Sequence, residues 1–168
     1  MPHRLHEILD QEQQLRESGA CAPDGRPLAH LIFFEPDSWL LPDGYSQLLA
    51  AHAAYLLNHP QLTAVVSGHS YGSGSHRFFW LMGDRRALAV QRQLVHAGVR
   101  PGQLRVQSKG AARASIVAVG KDFGCYRRRV AIDYVDTGVT PAAQPGSTEW
   151  WRSVFGSPRF GGNPSASW

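Results

Sequence analysis

The chain has 168 residues, 43% of them hydrophobic and 18% charged, which suffices for an ordinary core in one domain with extensions. Seventeen lysines and arginines against thirteen acids give a net charge of +4, a balance that suits an anionic ligand or surface. The basic residues cluster only at Arg85-Arg86 and Arg127-Arg128-Arg129, with no RNA-recognition or helix-turn-helix signature, so nucleic acid is not the expected partner. No apolar run has the length of a membrane span, and residues 1–20 lack the apolar region of a signal peptide. Cys21 and Cys125 make no disulfide framework; they read as two unrelated thiols, with a pair open to them only in an oxidising compartment. His3 with His6, and His69 with His76, lack zinc spacing, so no metal or cofactor is expected.

Residues 1–20 read as a polar helix whose few apolar positions are Leu5, Ile8, Leu9 and Leu15. Residues 22–26 form a turn, and residues 28–34 a strand that Pro36 ends. A helix follows Leu41-Pro42-Asp43-Gly44, with Tyr45, Leu48, Leu49, His52 and Leu56 at helical spacing. Residues 62–67 are a second strand, and residues 68–75 a Gly/Ser-rich loop. In the long helix after that loop, Phe79, Met82, Arg86, Val90 and Leu94 share a face, and Gly98 is its natural terminator. Residues 104–108 and 130–135 are the third and fourth strands, joined by a loop with one helical turn. Each principal helix links two strands that run parallel as neighbours or near-neighbours. The expected fold is α/β, a two-layer sandwich with a mixed four-stranded sheet and two principal helices on one face. From residue 137 the composition shifts to Gly, Pro, Ser and Ala. Trp150, Trp151, Val154 and Phe155 would share one face of a short helix there, for folding back on the domain or anchoring to a partner or membrane surface.

Gly68-His69-Ser70-Tyr71-Gly72 fits G-x-S-x-G, the nucleophile elbow of α/β-hydrolases, and makes Ser70 a nominal nucleophile. That reading needs an acid and then a histidine downstream. Only His76 and His96 follow Ser70; no acid precedes His76, and Asp84 lies more than three turns from His96 on one helix. The serine hydrolase is therefore a remote alternative.

The same stretch, taken with its neighbours, resembles the OmpA C-terminal-like family, and its Pal branch most of all. The resemblance covers residues 31–134. It rests on Phe33-Phe34-Glu35-Pro36-Asp37-Ser38, on residues 49–56 followed by Asn58-His59-Pro60, and on Val66-Ser67-Gly68-His69-Ser70. Gly83-Asp84-Arg85-Arg86-Ala87 with Val90 matches G/S-E-R-R-A-x-x-V, and Arg128-Arg129-Val130 matches the closing N-R-R-V. The resemblance implies a non-catalytic domain that binds the stem peptide of peptidoglycan. It also implies that an acid after the His-Thr pair holds the ammonium of diaminopimelate and that the second arginine of R-R-A holds a carboxylate. One charge of each sign would select the zwitterionic end of diaminopimelate, each charge-assisted bond contributing roughly 1.5–3 kcal/mol.

Arg86 keeps the carboxylate position, its alternative being a helix-surface ion pair. Tyr71 stands where the family has its acid, Phe79 and Arg127 where it has asparagines, and Ala114 where it has a proline. Tyr71 either stacks on or bonds a ligand, or plugs the pocket. Ser70 offers a hydroxyl, Asp37 survives in the first loop, and His69 is structural. Arg127 either adds an anion contact or is solvated; of Arg128 and Arg129, one faces sheet or pocket and the other solvent. The expected ligand-binding set is Arg86, Tyr71, Ser70, Asp37, Phe79, Arg127 and Arg128, in a pocket less acidic, more aromatic and more basic than the family norm. The expected organisation is a polar extension over residues 1–27, the domain over 28–136 and a tail over 137–168. The expected function is peptidoglycan recognition, in diverged form, in the periplasm at the outer membrane or cell wall. The alternative is an adaptor that has lost peptidoglycan binding and acts through an envelope protein partner.

Overall fold

A computed structural model of the chain describes residues 3–72, 74–110 and 124–138, with side chains from His6 onward except that of Cys125. Most of the loop before the fourth strand, including Ala114, the tail from residue 139 with its aromatic face, and the Cys125 thiol lie outside the described residues.

The elements in chain order are α1 (His3–Ser18), β1 (Leu31–Phe33), α2 (Ser46–Asn58), β2 (Leu62–His69) and α3 (His76–His96). A 3-10 turn (Pro101–Gln103), β3 (Leu104–Gly110), the single turn α4 (Gly124–Arg127) and β4 (Arg129–Asp136) complete the chain. The sheet order is β1-β4-β2-β3. β2 and β3 pair in parallel, while β4 runs antiparallel to both β1 and β2. The α3 connection therefore joins parallel neighbours, and the α2 connection steps across β4. This is the mixed two-layer α/β arrangement expected from the sequence. Period-two alternation sends Ala64, Val66, Val130 and Ile132 into the core, against Leu49 and Leu56 of α2 and Ala87, Val90 and Leu94 of α3. Gly98 ends α3 with φ +98°, its amide donating to Val95 O at 2.9 Å.

β1 is shorter than the expected strand, pairing with β4 only over Leu31–Phe33, and its open edge is covered by side chains. The buried Glu12 carboxylate of α1 accepts from the amides of His30 (3.1 Å) and Leu31 (3.3 Å), and the Tyr45 hydroxyl accepts from Phe33 N (3.1 Å). Edge N–H groups that would otherwise invite another strand are thus capped by side chains. Glu12 also pairs with His30 Nδ1 at 2.8 Å. Burial alone would raise the Glu12 carboxyl, but the bond and charge of His30 outweigh it and the group titrates low; the same bond holds His30 high. β2 and β3 are longer than expected, because Gly68 and His69 continue the pairing with β3 through a bulge.

β2 and α3 meet at two glycines. A Cβ on Gly68 would stand 1.8 Å from the Gly83 carbonyl oxygen, and one on Gly83 2.6 Å from Ser108 Oγ. No side chain fits between strand and helix here. Gly68→Ala should therefore force the two backbones apart and cost about 3 kcal/mol, seen as a melting temperature lower by roughly 10 °C or more.

His52 is fully buried on the inner face of α2. Its Nε2 donates to Ala29 O at 3.0 Å, and Nδ1 accepts from the Tyr134 hydroxyl. Burial pushes its pKa down to about 4. As pH falls through about 6.5, the unfolded chain takes up a proton that the folded one refuses, so stability declines until pH reaches about 4. The loss is on the order of 3 kcal/mol. His52→Gln, which retains a donor and cannot titrate, should flatten that limb in melts recorded between pH 7 and about 4.

Candidate functional site

The C-terminal end of β2 is where the fold leaves a polar opening. The chain turns away after His69, and Ser70 is fixed by its amide donating to Gly110 O at 3.0 Å. α3 begins a few residues later, its first turn closed by Ser75 Oγ accepting from Phe78 N at 3.2 Å. Between this loop, the β1–α2 loop and the start of β4 lies a cleft of about 160 Å³. Arg86, Arg128 and Asp37 supply its charges; Ser70, Tyr71 and Phe79 line it with them. Six of the seven residues expected at the site therefore share one cleft. Phe78, Met82 and Pro36 also line it.

Arg86 sits one helical turn after Gly83, and only 1% of it is exposed. It is neither on the helix surface nor in an ion pair with a described residue. Its Nε donates to Ser38 O at 2.8 Å, one terminal nitrogen to His69 O at 3.3 Å and the other to Glu35 O at 3.5 Å. A guanidinium has five N–H groups, so two remain beyond these bonds. Burial lowers its pKa to about 10, nearby Arg128 adds to the shift, and Asp37 opposes it. Arg86 keeps its charge at neutral pH, next to a second guanidinium of the same sign. Arg128 is anchored by Nε donating to Phe34 O at 3.1 Å.

Tyr71 forms part of the wall. Its ring stacks on Phe79 at 5.9 Å between centroids, and the Arg127 guanidinium lies 4.6 Å from its centroid on the same ring system. Both aromatic substitutions and the arginine substitution of this region thus form one Phe79–Tyr71–Arg127 stack. Arg127 does not line the cleft itself, and its buried Nε has no hydrogen bond among the described residues. Arg129 departs from expectation. It points to the opposite sheet face but is only 6% exposed, packed 3.9 Å over the Tyr126 ring and donating to Tyr126 O at 2.6 Å.

Sequence reasoning did not find the carbonyls of Glu35, Ser38 and His69 that Arg86 holds, because backbone atoms leave no residue signature. It also passed over Trp39, which carries the Arg85 guanidinium at 4.6 Å beside the same loop. An exposed tryptophan after the aromatic-acid turn was the available signal.

Among the described residues the cleft offers fixed charges and hydrogen bonds, and no activated nucleophile. Ser70 is buried to 5% exposure, and Asp84 and His96 both belong to α3, too far apart along it to act together. No cluster of three metal-binding side chains occurs among the described residues. No helix among them is long and apolar enough to cross a membrane.

Residues 33–118 match the OmpA family. The peptidoglycan-associated lipoprotein of Pasteurella multocida is 32% identical over 118 residues, covering 69% of this chain and 77% of that protein. The crystal structure of the peptidoglycan-associated lipoprotein from Burkholderia pseudomallei has a TM-score of 0.62 at 30% identity, covering 67% of this chain and 97% of that one. The C-terminal domain of Helicobacter pylori MotB shares the fold, with a TM-score of 0.57 at 20% identity, covering 62% of this chain and 83% of that one. The chain belongs to the OmpA family, as a non-catalytic domain and not a serine hydrolase.

Proposed function

We propose that this domain binds peptidoglycan without covalent chemistry, through the stem peptide, in the bacterial periplasm at the outer membrane or cell wall. One observation carries the reading. Arg86 and Arg128 stand side by side at a cleft, and no described carboxylate forms an ion pair with either. Two unpaired guanidiniums, one of them buried, are costly to maintain unless an anion uses them. A peptide carboxylate meets that need with bonds that are short, charged and directional. The peptidoglycan-associated lipoproteins among the relatives support the same ligand.

Diaminopimelate is the finer expectation, and Tyr71 sets its limit. A phenol at the family's acid position is a neutral acceptor, weaker for an ammonium than a carboxylate. The adaptor alternative draws on a different feature: Trp39, Leu40 and Phe78 are 42%, 73% and 44% exposed, which suits contact with an envelope protein. Purified protein should co-sediment with peptidoglycan sacculi. If it stays in the supernatant while an acid-bearing relative pellets, the adaptor reading replaces this one.

Tyr71→Asp should strengthen binding to a diaminopimelate-containing stem peptide by on the order of tenfold, since it adds a charged acceptor for the ammonium from the β2–α3 loop. Calorimetry checks this. The melting temperature should be recorded alongside, because the substitution also removes the centre of the Phe79–Tyr71–Arg127 stack.

A further inference from the structure

Asp37 is the single acid among the ten described residues lining the cleft. It is also the only described non-glycine residue with positive φ, at 52°. That backbone region is disfavoured for L-residues, with Asp and Asn the best tolerated. The turn that imposes it is held from both sides. Arg86 takes the Glu35 carbonyl before Asp37 and the Ser38 carbonyl after it, at 3.5 and 2.8 Å. Ser38 N also donates back to Glu35 O at 3.3 Å, and Pro36 fixes the preceding φ. The Asp37 side chain, exposed at the cleft, makes no hydrogen bond or ion pair with a described residue.

From this geometry we infer that Asp37 is the ammonium acceptor of the cleft. It performs from the β1–α2 loop the charge role that Tyr71 cannot perform from the β2–α3 loop. Without Asp37 the described lining would carry two guanidiniums and no anion, and would repel an ammonium. With it, the cleft presents charges of both signs to a zwitterionic side chain. Arg86 thereby acts twice: it faces the ligand's carboxylate, and it holds the turn that presents the acid. This assignment rests on the stem-peptide reading above and names the residue that selects the amine.

The test compares two probes by calorimetry: a diaminopimelate-containing stem peptide, and the same peptide with its side-chain amine acetylated. Wild type should prefer the free amine by tenfold or more. Asp37→Asn removes the charge and keeps a residue that tolerates positive φ; it should abolish the preference and leave the melting temperature within a few degrees. Asp37→Gly, free of any φ penalty, should do the same if the asparagine variant folds poorly. Adding Tyr71→Asp to Asp37→Asn should restore the preference, since the acid then returns from the opposite loop. If wild type binds sacculi and both Asp37 variants keep the preference, the acceptor is another group and only this inference falls. If wild type binds neither peptide nor sacculi, the peptidoglycan reading itself falls, and this inference with it.

Discussion

The contact between Gly68 and Gly83 is the constraint from which the site follows. With no side chain between them, α3 lies directly against β2, and Ser108 of β3 closes the same junction by donating from its Oγ to Trp80 O at 2.7 Å. One turn along α3, Arg86 then enters the space at the end of β2. A helix held at an ordinary packing distance would carry that guanidinium away from Glu35, Ser38 and His69 together. The pair of glycines is therefore part of the site's construction, although neither touches the cleft with a side chain.

Arg86 shows that a structural role and the proposed ligand role are not alternatives. A buried guanidinium is retained because three backbone carbonyls, two from the β1–α2 loop and one from the end of β2, satisfy part of it, and those same bonds set the shape of the cleft wall. Removing the side chain would leave three carbonyls to find new partners, so a loss of binding after such a change would report folding as much as recognition. Charge changes on the exposed partners, Asp37 and Tyr71, separate the two effects.

The layered fold was legible because hydrophobic period and punctuation agreed: alternating β2 and β4, a 3.6-residue stripe on α3, and Gly98 at its end. The cleft was legible as a set of neighbouring residues, since six of the seven expected positions line it. Strand ends were less so. β1 pairs over three residues only, and Glu12 and Tyr45 take its outer amides, tertiary contacts that no local pattern announces. Arg129 misled for a related reason. Alternation correctly sent it to the face opposite Arg128, but solvent was assumed on that face, where Tyr126 packs. The backbone conformation of Asp37 was invisible for the same reason as the carbonyls that cause it.

The departures from the family pattern become coherent once placed in space. Tyr71, Phe79 and Arg127 occupy three separate places in the sequence, yet they make one stack on one side of the cleft. An acid at position 71 would sit next to Arg127 and be partly neutralised by it; a tyrosine gives that guanidinium an aromatic face and no competing charge. The stack therefore stabilises Arg127 while removing an anion from the β2–α3 side. What negative charge the described cleft retains is on the opposite wall, in a turn that Arg86 controls. The proposed recognition of a zwitterion would thus depend on one helix residue, Arg86, and one loop residue, Asp37, whose flanking carbonyls Arg86 holds, and selectivity for the amine could change without disturbing the sheet or the packing of α3.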